Sequence, residues 1–475
     1  TDCRGAGAFG AVFAAEDRLV PGRQVAVKRL PVSAASSQVS FEQEVKILKD
    51  LDHPNICRMH ATYSTWSNFY IVLEYCGGGD LFTLLAKSGS LNEPTVSSII
   101  GQVSCALHYA HSRSVVHRDI KPENVCFASA RAGDFKVKLV DWGASVDMRS
   151  GPCPKGPAGS LAYAAPEVYS KQRYGTACDI WSLGVLTYVC LLGSLPFGGG
   201  LRTQLRSMQA EEYSTSPKVW GTLSAEVKDL ISKLLRAAPA HRLAIEAVVQ
   251  HPWLATSKPV LDRATALKAL RELNHSVSSS EDLALLKCFV AQELDQAASA
   301  GITEVFAALD VTHSGSLSLE DFLTNFENLL GVHDSDIADL ELLFRQLDLD
   351  QSGKIEYTEF AAALLSREQL GNSGDCSQAL QAGLLQLQEA REVGSTWPKR
   401  LLRNFQRRQG LLPQATPEQE IEDWLDEVAP ESESPTGWHQ SGRARRRDVV
   451  LHQLCIRKPA EPQDFASTHP KWRCH

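Results

Sequence analysis

Four polar side chains occur at spacings that suit the transfer of a charged group. Asp119 and Lys121 are separated by one residue, and Asn124 follows shortly afterwards. Asp141 comes further along the chain. A carboxylate orients a hydroxyl nucleophile, a lysine offsets charge on a moving phosphoryl group, and an amide with a second carboxylate offers oxygen ligands to magnesium. Phosphoryl transfer needs positioning and charge neutralisation, and these residue types can supply both.

Two longer runs contain these four residues. The first covers His117–Asn124 (HRDIKPEN), and the second covers Asp141–Gly143 (DWG). A lone His-Arg-Asp is weak evidence for any activity, but the full run followed by an aspartate at this distance is a strong pattern. The two runs resemble the catalytic loop and the magnesium-binding motif of the protein kinases. The lysine two residues after Asp119 implies a serine/threonine kinase by the same resemblance.

The segments that must position these residues fit the resemblance as well. Gly5–Val12 (GAGAFGAV) is rich in glycine, although alone it could equally be a tight turn between strands. Val25–Lys28 (VAVK) alternates like a strand that ends in lysine. Ser40 and Gln43 have the spacing of a capping box, which predicts a helix that begins near Ser40. Asn92-Glu93-Pro94 predicts the start of another helix.

Three later motifs follow in the order seen in kinases. They are Ala165–Glu167 (APE), Asp179–Gly184 (DIWSLG) and Arg242. The resemblance implies that Asp179 holds the backbone of the catalytic loop and that Arg242 pairs with Glu167. Taken singly, a charged residue such as Arg242 is more often part of a surface salt bridge, but the complete ordered set leaves that alternative little weight.

The resemblance implies a full set of site residues. The catalytic residues would be Asp119, Lys121, Lys28 and Glu44, with Lys28 bound both to Glu44 and to the ATP phosphates. The nucleotide contacts would be Gly5, Ala6, Gly7, Ala8, Phe9, Gly10, Val12, Ala26, Lys28, Glu74, Cys76, Asp80, Asn124 and Asp141. Among these, Glu74 and Cys76 belong to the hinge, Asp80 would reach the ribose, and Asn124 and Asp141 would hold Mg²⁺. Leu73 would be the gatekeeper.

A second type of site lies far downstream, at residues 348–359 (DLDQSGKIEYTE). This segment matches a twelve-residue EF-hand loop, in which Gly353 makes the sharp turn and Glu359 binds calcium through both carboxylate oxygens. The implied Ca²⁺ ligands are Asp348, Asp350, Ser352, Lys354, Glu356 and Glu359. Helical apolar spacing on both sides supports the assignment, and the alternative is an acidic turn between two helices.

Residues 310–321 form a weaker match to the same loop. The corresponding ligands would be Asp310, Thr312, Ser314, Ser316, Ser318 and Asp321. Only Asp310 and Asp321 carry carboxylates, and Asp321 is one methylene shorter than the usual glutamate. We therefore predict one strong and one weak calcium site, and a purely structural first loop stays open. Leu317 and Ile355, at equivalent positions, predict a short β-bridge between the two loops.

Kinase motifs followed by EF-hands resemble the calcium-dependent protein kinases of plants and protists. The implied fold class is α+β, a two-lobed kinase fold followed by an all-α, calmodulin-like EF-hand domain. The predicted domains are 1–254 (kinase, with a truncated first strand), 255–298 (autoinhibitory junction), 299–366 (EF-hand pair), 367–430 (degenerate EF-hand-like helices) and 431–475 (disordered basic tail). No metal is assigned to 367–430, because its helical segments lack ligand spacing.

The junction contains two amphipathic segments. Leu261–Leu273 has helical apolar spacing, and the predicted turn Asn274–Ser276 interrupts it before a second helix at 281–295. In similar kinases this junction is autoinhibitory and contacts the EF-hands. The alternative is a helical spacer packed on the kinase.

Two positions depart from the usual kinase pattern. Trp142 replaces the phenylalanine that normally follows the magnesium-binding aspartate, so a larger ring must be accommodated below the helix that carries Glu44. Ser160 stands where a threonine is usual, and it keeps a hydroxyl that can bridge Asp119 and Lys121. Neither change removes a catalytic group.

Composition is consistent with this interpretation. The chain has 475 residues, enough for a kinase and a smaller helical domain, and a net charge of −8 argues against nucleic-acid binding. Its 12 cysteines include no C-x-x-C pair, which is typical of reduced thiols in the cytoplasm. No apolar run could span a bilayer. Membrane contact through an N-terminal lipid is undecided because the chain starts almost at the glycine-rich segment, and the basic run at 443–447 leaves a nuclear role open.

The sequence thus predicts a calcium-regulated serine/threonine kinase that uses ATP, Mg²⁺ and Ca²⁺. Its partners would be protein substrates with basic residues before the acceptor, and the chain would be a monomer. Two alternatives stay open: a non-catalytic calcium-responsive scaffold, and an active kinase with vestigial EF-hands. The intact Lys28, Glu44, Asp119, Asn124 and Asp141 argue against the scaffold.

Overall fold

The computed structural model describes residues 3–7, 10–17, 23–32, 35–131, 133–151, 156, 158–170, 173–215, 218–255, 263–277, 287–288, 290–291, 296–330 and 334–365. The predicted segments 367–430 and 431–475 lie outside these residues. The described residues form two compact units. The first contains the chain up to Gln38 and His60–Tyr75, and the second contains Val39–Met59 and the described chain from Cys76 onward.

The first unit is a five-stranded sheet with the order β1-β2-β3-β5-β4. Its strands are β1 (Cys3–Gly7), β2 (Gly10–Glu16), β3 (Gln24–Pro31), β4 (Met59–Ser64) and β5 (Asn68–Glu74). The alternation predicted at Val25–Lys28 lies in β3, where Val25 and Val27 are buried with Val72 in a small apolar core. Strand β3 pairs antiparallel with β2 and β5 and therefore occupies the middle of the sheet.

The second unit contains most of the helices. The helices are α1 (Ala35–Asp50), α2 (Leu81–Ser88), α3 (Glu93–Ser112), α4 (Pro166–Tyr169), α5 (Ala177–Leu192), α6 (Leu201–Ala210), α7 (Lys218–Thr222), α8 (Ala225–Leu234), α9 (Ile245–Val249), α10 (Pro252–Ala255), α11 (Arg263–Val277), α12 (Gln296–Leu309), α13 (Leu319–Leu330), α14 (Asp334–Leu347) and α15 (Tyr357–Leu364). Asn92 caps α3 by accepting a hydrogen bond from the Thr95 amide at 2.9 Å, which confirms the predicted helix start.

Short antiparallel strand pairs connect the helices. They are β6 (Val115–Val116) with β9 (Val146–Asp147), β7 (Val125–Phe127) with β8 (Val137–Leu139), and β10 (Ser316–Ser318) with β11 (Lys354–Glu356). In the last pair Leu317 lies opposite Ile355, which confirms the predicted bridge between the two EF-hand loops. Among the described helices, none has the length and apolarity needed to cross a membrane.

A bidentate ion pair ties α4 to the end of the kinase-like region. Arg242 donates to both oxygens of Glu167, at 2.6 and 2.7 Å, and this confirms the predicted pair. The Arg242 side chain is only 1% exposed, and it also donates to backbone carbonyls that include Ala177 O at 2.8 Å. These bonds satisfy a charge that would otherwise be costly to bury.

Removing this arginine should be strongly destabilising. Arg242→Ala leaves the buried Glu167 carboxylate without its partner, so we expect the free energy of unfolding to fall by about 3–5 kcal/mol. Chemical denaturation measures the change, and Arg345→Ala is the control. Arg345 is 73% exposed, and its loss should change stability by less than about 0.5 kcal/mol. Equal effects of the two substitutions would contradict the role given to Arg242.

The C-terminal helices enclose one apolar core. Phe306 on α12 packs against Phe360 on α15 with ring centroids 5.4 Å apart, and Phe322 on α13 packs against Phe344 on α14 at 5.7 Å. Leu273 of α11 is buried in the same core. The junction helix α11 therefore packs as part of the EF-hand core.

Two helix boundaries differ from the sequence-based expectation. Helix α1 begins at Ala35 rather than near Ser40, and the Gln43 side chain donates to Ser145 O at 2.6 Å instead of capping the helix. Helix α11 continues to Val277, so Asn274–Ser276 does not interrupt it. The second junction helix was predicted at 281–295, of which only 287–288 and 290–291 are described.

Candidate active site and metal-binding loops

The Asp119 carboxylate is the centre of a hydrogen-bond network. Lys121 Nζ donates to its Oδ2 at 2.8 Å, and Asn124 Nδ2 donates to the same oxygen at 3.0 Å. The Ser160 backbone amide donates to Oδ1 at 2.7 Å. A carboxylate has about four acceptor positions, so these three bonds leave a position on Oδ1 for a further donor. A substrate hydroxyl is such a donor.

Ser160 joins Lys121 and Asp119 in a way that only partly matches the prediction. Its hydroxyl accepts a hydrogen bond from Lys121 Nζ at 2.8 Å, whereas its backbone amide, not its hydroxyl, contacts Asp119. Gly159 precedes it with φ +68°, and a Cβ there would lie 2.1 Å from Arg118 O. Only glycine allows the segment before Ser160 to approach the catalytic loop so closely.

Asp179 holds the backbone of the catalytic loop through hydrogen bonds to its amides. Its side chain is fully buried and accepts hydrogen bonds from the His117 amide at 2.9 Å and the Arg118 amide at 2.8 Å. His111 Nε2 donates a third bond at 2.9 Å. Burial alone would raise the pKa of Asp179, but the His111 hydrogen bond and charge, with His117 and the Arg118 amide, lower it overall. The predicted role of Asp179 is confirmed, and the carboxylate remains ionised where it orients Asp119.

Asp141 and Trp142 occupy a constrained turn. Asp141 adopts a left-handed conformation, with φ 59° and ψ 74°, just before the single helical turn Trp142–Ala144. Trp142 is 1% exposed, and its ring centroid lies 4.6 Å from that of His117. Its indole Nε1 is buried without a hydrogen-bond partner. The larger ring is thus accommodated inside the unit against the catalytic loop.

Helix α1 is tied to the segment after Trp142 through contacts that the sequence did not predict. Besides Gln43, Lys46 Nζ donates to Ser150 Oγ at 2.8 Å and lies 3.7 Å from Asp147 Oδ2. Gln43 and Lys46 look like ordinary solvent-facing helix residues in the sequence, so no local signal could have identified them. Through these contacts α1, which carries the buried Glu44, is coupled to the segment after Asp141.

The predicted nucleotide contacts are divided between the two units. In the first unit, Lys28 is buried on β3 opposite Val12 and Ile71, and Gly7 pairs with Gly10 at the β1–β2 turn. Ala26 lies on β3 and Glu74 ends β5, whereas Ala8 and Phe9 lie outside the described residues. The contacts of these residues with a nucleotide, and the Lys28–Glu44 pair, stay predictions.

In the second unit, Cys76, Asp80, Asn124 and Asp141 are the predicted nucleotide or magnesium contacts. Asp80 is the N-cap of α2, where its Oδ1 accepts a hydrogen bond from the Thr83 amide at 2.6 Å. Asn124 uses its amide nitrogen for Asp119, so its Oδ1 is the oxygen left to serve as a ligand. An amide oxygen and a carboxylate form a donor set that suits Mg²⁺.

The second EF-hand loop gathers three carboxylates. Single oxygens of Asp348, Asp350 and Glu359 all lie within 4.8 Å of one another. Burial raises the pKa of Glu359 well above its usual range, and the charges of Asp350 and Glu356 add to the rise. Burial and Asp350 likewise raise the pKa of Asp348. Buried oxygen ligands that repel one another fit a hard divalent cation such as Ca²⁺.

Backbone amides already shape this loop. Asp348 accepts from the Ser352 and Gly353 amides at 2.8 Å each, and Ser352 Oγ donates to Lys354 O at 2.9 Å. Glu359 accepts from the Leu349 amide at 3.0 Å and the Glu356 amide at 2.9 Å. Gly353 has φ +81°, which favours glycine at the turn. The predicted ligand positions are thus held in one compact loop.

The first EF-hand loop has the same fold with a poorer ligand set. Asp310 accepts from the Ser314 amide at 2.9 Å and the Gly315 amide at 2.7 Å, and burial raises its pKa to about 6. Ser318 Oγ donates to Asp321 Oδ2 at 2.7 Å. The remaining predicted ligands, Thr312, Ser314 and Ser316, are neutral, so this loop offers less charge to a cation than the second loop.

Comparisons with known proteins match both regions of the chain. Residues 4–254 match the protein kinase domain, and residues 299–365 match an EF-hand domain pair. Calcium-dependent protein kinase 3 of Plasmodium yoelii yoelii is 32% identical over 377 residues, which cover 77% of this chain and 68% of that protein. Calcium-dependent protein kinase 22 of Arabidopsis thaliana is 31% identical over 404 residues, covering 79% and 78%. The chain belongs to the calcium-dependent protein kinase family.

Membership in this family confirms the resemblance and the α+β fold class drawn from the sequence. It also supports ATP, Mg²⁺ and Ca²⁺ as the cofactors of a kinase domain joined to EF-hands. The chain spans just under two thirds of the length of some relatives, such as 66% of calcium-dependent protein kinase 5 of Plasmodium berghei and 63% of its Plasmodium falciparum counterpart.

Proposed function

We propose that this calcium-dependent protein kinase relative transfers the γ-phosphoryl group of ATP to serine or threonine hydroxyls of proteins under calcium control. The observation that carries the proposal is the Asp119 network. It orients one carboxylate through Lys121, Asn124 and Ser160, and leaves an acceptor position for a substrate hydroxyl.

The side chains of the network have separate roles in the proposed reaction. Asp119 Oδ1 accepts the hydrogen bond of the attacking hydroxyl and so aims its oxygen. Lys121 offsets charge on the transferring group, and Asn124 with Asp141 would hold magnesium. Magnesium held there would offset the negative charge that develops as the γ-phosphoryl group is transferred. Asp179 keeps the loop rigid, so that positioning costs little when the substrate binds.

Phosphate transfer to a basic peptide with a single serine tests the proposal. The full chain is incubated with labelled ATP and Mg²⁺, once with calcium and once with a chelator. Label in the serine, with more in calcium, is the expected result. No transfer under either condition would favour the non-catalytic scaffold, whereas equal transfer under both would favour vestigial EF-hands.

We further propose that the enzyme prefers an arginine before the phosphorylated residue, at the third position upstream. Glu123 lies in the catalytic loop and Asp80 at the start of α2. Glu123 is exposed at the surface, yet desolvation and the negative charges of Asp119 and Asp80 raise its pKa. The negative charges around Glu123 form an acidic patch that a guanidinium would relieve.

This preference predicts a specific mutational result. Glu123→Gln should reduce the advantage of an arginine peptide over its alanine counterpart by roughly fivefold in kcat/KM, which is about 1 kcal/mol for a solvent-accessible ion pair. Paired peptides that differ only at that position give the ratio directly. An unchanged ratio, or a library that favours acidic or proline-flanked sites, would contradict the proposal.

We propose that calcium acts through α11. This helix shares the EF-hand core through Ala269 and Leu273, so a rearrangement of the EF-hand helices must move it. A displaced α11 would in turn change the activity of the kinase domain. We also propose that the protein is a monomer and that it is located in the cytoplasm. The free thiols of the described cysteines support the second point, because disulfides are rare in that compartment. Light scattering and cell fractionation test these two points.

A further inference from the structure

The second calcium loop lies against helix α3 of the kinase domain. Arg113, at the end of α3, forms an ion pair with Glu356 at an Nη2–Oε1 distance of 2.5 Å. The two side chains are only 20% and 25% exposed. The Arg113 guanidinium also lies 3.8 Å above the ring of Tyr109, which fixes its orientation. Glu356 occupies position 9 of the EF-hand loop, one of the ligand positions.

A second contact holds the same loop close to its final ligand. The Thr358 amide donates to Asp52 Oδ2 at 2.9 Å, and Thr358 lies directly before Glu359. The Asp52 amide in turn donates to Tyr109 Oη at 2.8 Å. The kinase domain therefore contacts this loop on both sides of Tyr357, through a cation at position 9 and through an acceptor beside position 12.

The first loop meets the same face of the kinase domain. His108 Nδ1 donates to His313 O at 2.7 Å. A Cβ on Gly315 would lie 2.4 Å from Tyr109 Cδ2 and 2.5 Å from His53 Cδ2, so glycine is required where the loop touches these rings. Both calcium loops thus contact this face of the kinase domain.

The Arg113–Glu356 pair has a direct consequence for calcium. A position 9 carboxylate contributes to the loop either as a ligand or through a bound water. Arg113 occupies one of its oxygens and brings a positive charge next to the cation site. Both effects weaken the binding of a divalent cation to this loop. By linkage, calcium in the loop must weaken this contact by the same factor.

We propose that Arg113 of the kinase domain sets the calcium affinity of the second EF-hand by competing with the cation for Glu356. The proposal deepens the calcium control described above and rests on calcium binding at residues 348–359. A residue of the kinase domain then helps to set the calcium concentration at which the second loop is filled. The intact chain binds calcium more weakly than its loop sequence alone would dictate.

Calorimetric titration of the full chain with CaCl₂ tests the proposal without reference to kinase activity. Arg113→Gln removes the charge but keeps a polar side chain, and it should tighten calcium binding at the second loop by about fivefold or more, the lower end of couplings between sites. Arg113→Lys keeps the charge and should stay closer to the wild type. Unchanged or weaker binding by a folded Arg113→Gln chain would overturn the proposal.

Lys136→Ala is the matched control. Lys136 forms another pair between the kinase domain and the EF-hands, with Glu304 at 3.3 Å, but Glu304 lies on α12 and not in a loop. Its removal should leave calcium affinity unchanged. If Lys136→Ala tightened calcium binding as much as Arg113→Gln, a general weakening of the contact between the kinase domain and the EF-hands would explain the higher affinity. Competition for Glu356 would then be wrong.

A double-mutant cycle assigns the effect to Glu356. In a Glu356→Gln background, Arg113→Gln should change calcium affinity by much less than in the wild type, because the contested carboxylate is gone. An equal gain in both backgrounds would overturn the competition. If the wild-type chain bound no calcium at all, the calcium site at residues 348–359 would itself be wrong. This outcome differs from a failure of the competition alone, so the two failures are distinguishable.

Discussion

Asp119→Asn is expected to lower kcat by about 10²–10⁴-fold while ATP still binds. The substitution removes the carboxylate that orients the substrate hydroxyl. It also replaces one acceptor oxygen with an NH₂ donor, although every group around Asp119 is itself a donor: the Ser160 amide, Lys121 Nζ and Asn124 Nδ2. Either orientation of the new amide places two donors against each other, so the network loses geometry as well as charge.

Peptide phosphorylation gives kcat, and nucleotide binding is measured separately by titration. Asp134→Asn is the control for the same chemical change at another carboxylate. Asp134 Oδ1 accepts from the Lys136 amide at 3.2 Å, and an asparagine oxygen can accept that bond equally well. This variant should keep wild-type kcat. Near wild-type turnover by Asp119→Asn would show that Asp119 does not orient the nucleophile.

Contacts between residues of recognisable motifs could be predicted from the sequence. Asp179 contacts two successive amides of the catalytic loop, and Arg242 pairs with Glu167. The resemblance to the protein kinases implied both contacts, and each of them satisfies a buried charge. The contact between Leu317 and Ile355 could be predicted as well, because equivalent positions of paired EF-hand loops meet in a short strand pair.

Features that depend on tertiary contacts could not be predicted in this way. The capping-box spacing of Ser40 and Gln43 suggested a helix start, but Gln43 bonds to Ser145 O, about a hundred residues away in the sequence. The predicted turn after Leu273 lies inside α11, which continues to Val277 and buries that leucine in the EF-hand core. Local spacing is a weak guide wherever burial decides which conformation is favoured.

The docking of the calcium loops on α3 left no trace in the sequence pattern. Arg113 and Glu356 look like ordinary surface charges, and they are more than two hundred residues apart. Position 9 of an EF-hand loop identifies Glu356 as a ligand and gives no hint that a kinase residue contests it. The motifs themselves were unambiguous. This contact could not be predicted because its two partners are far apart in the sequence.

Glu359→Gln is expected to weaken calcium binding at the second loop from about the micromolar range of sensor EF-hands to about 10⁻³ M or weaker. Glu359 supplies the bidentate ligand, and its carboxylate lies within reach of Asp348 and Asp350. The glutamine keeps an oxygen for the Leu349 or Glu356 amide but removes one negative charge and one ligand oxygen. Calorimetric titration of the full chain measures the change.

Asp321→Asn is the matched control, because Asp321 occupies the same position of the first loop. That loop has only two carboxylates, and Ser318 Oγ already donates to Asp321. The control should therefore change total calcium binding much less than Glu359→Gln. If Asp321→Asn had the larger effect, the assignment of the strong and weak loops would be reversed.

One strong loop limits how sharply calcium can switch the kinase. Moving a two-state equilibrium from mostly off to mostly on needs roughly 5.5 kcal/mol of differential binding. A single site that binds one state only contributes about 2.7 kcal/mol when calcium is at 100 times its Kd. We therefore expect partial activation with a Hill coefficient of about 1, lost in Glu359→Gln. A steep calcium curve, or one that survives Glu359→Gln, would mean that the first loop or residues beyond 365 bind calcium and share the switch.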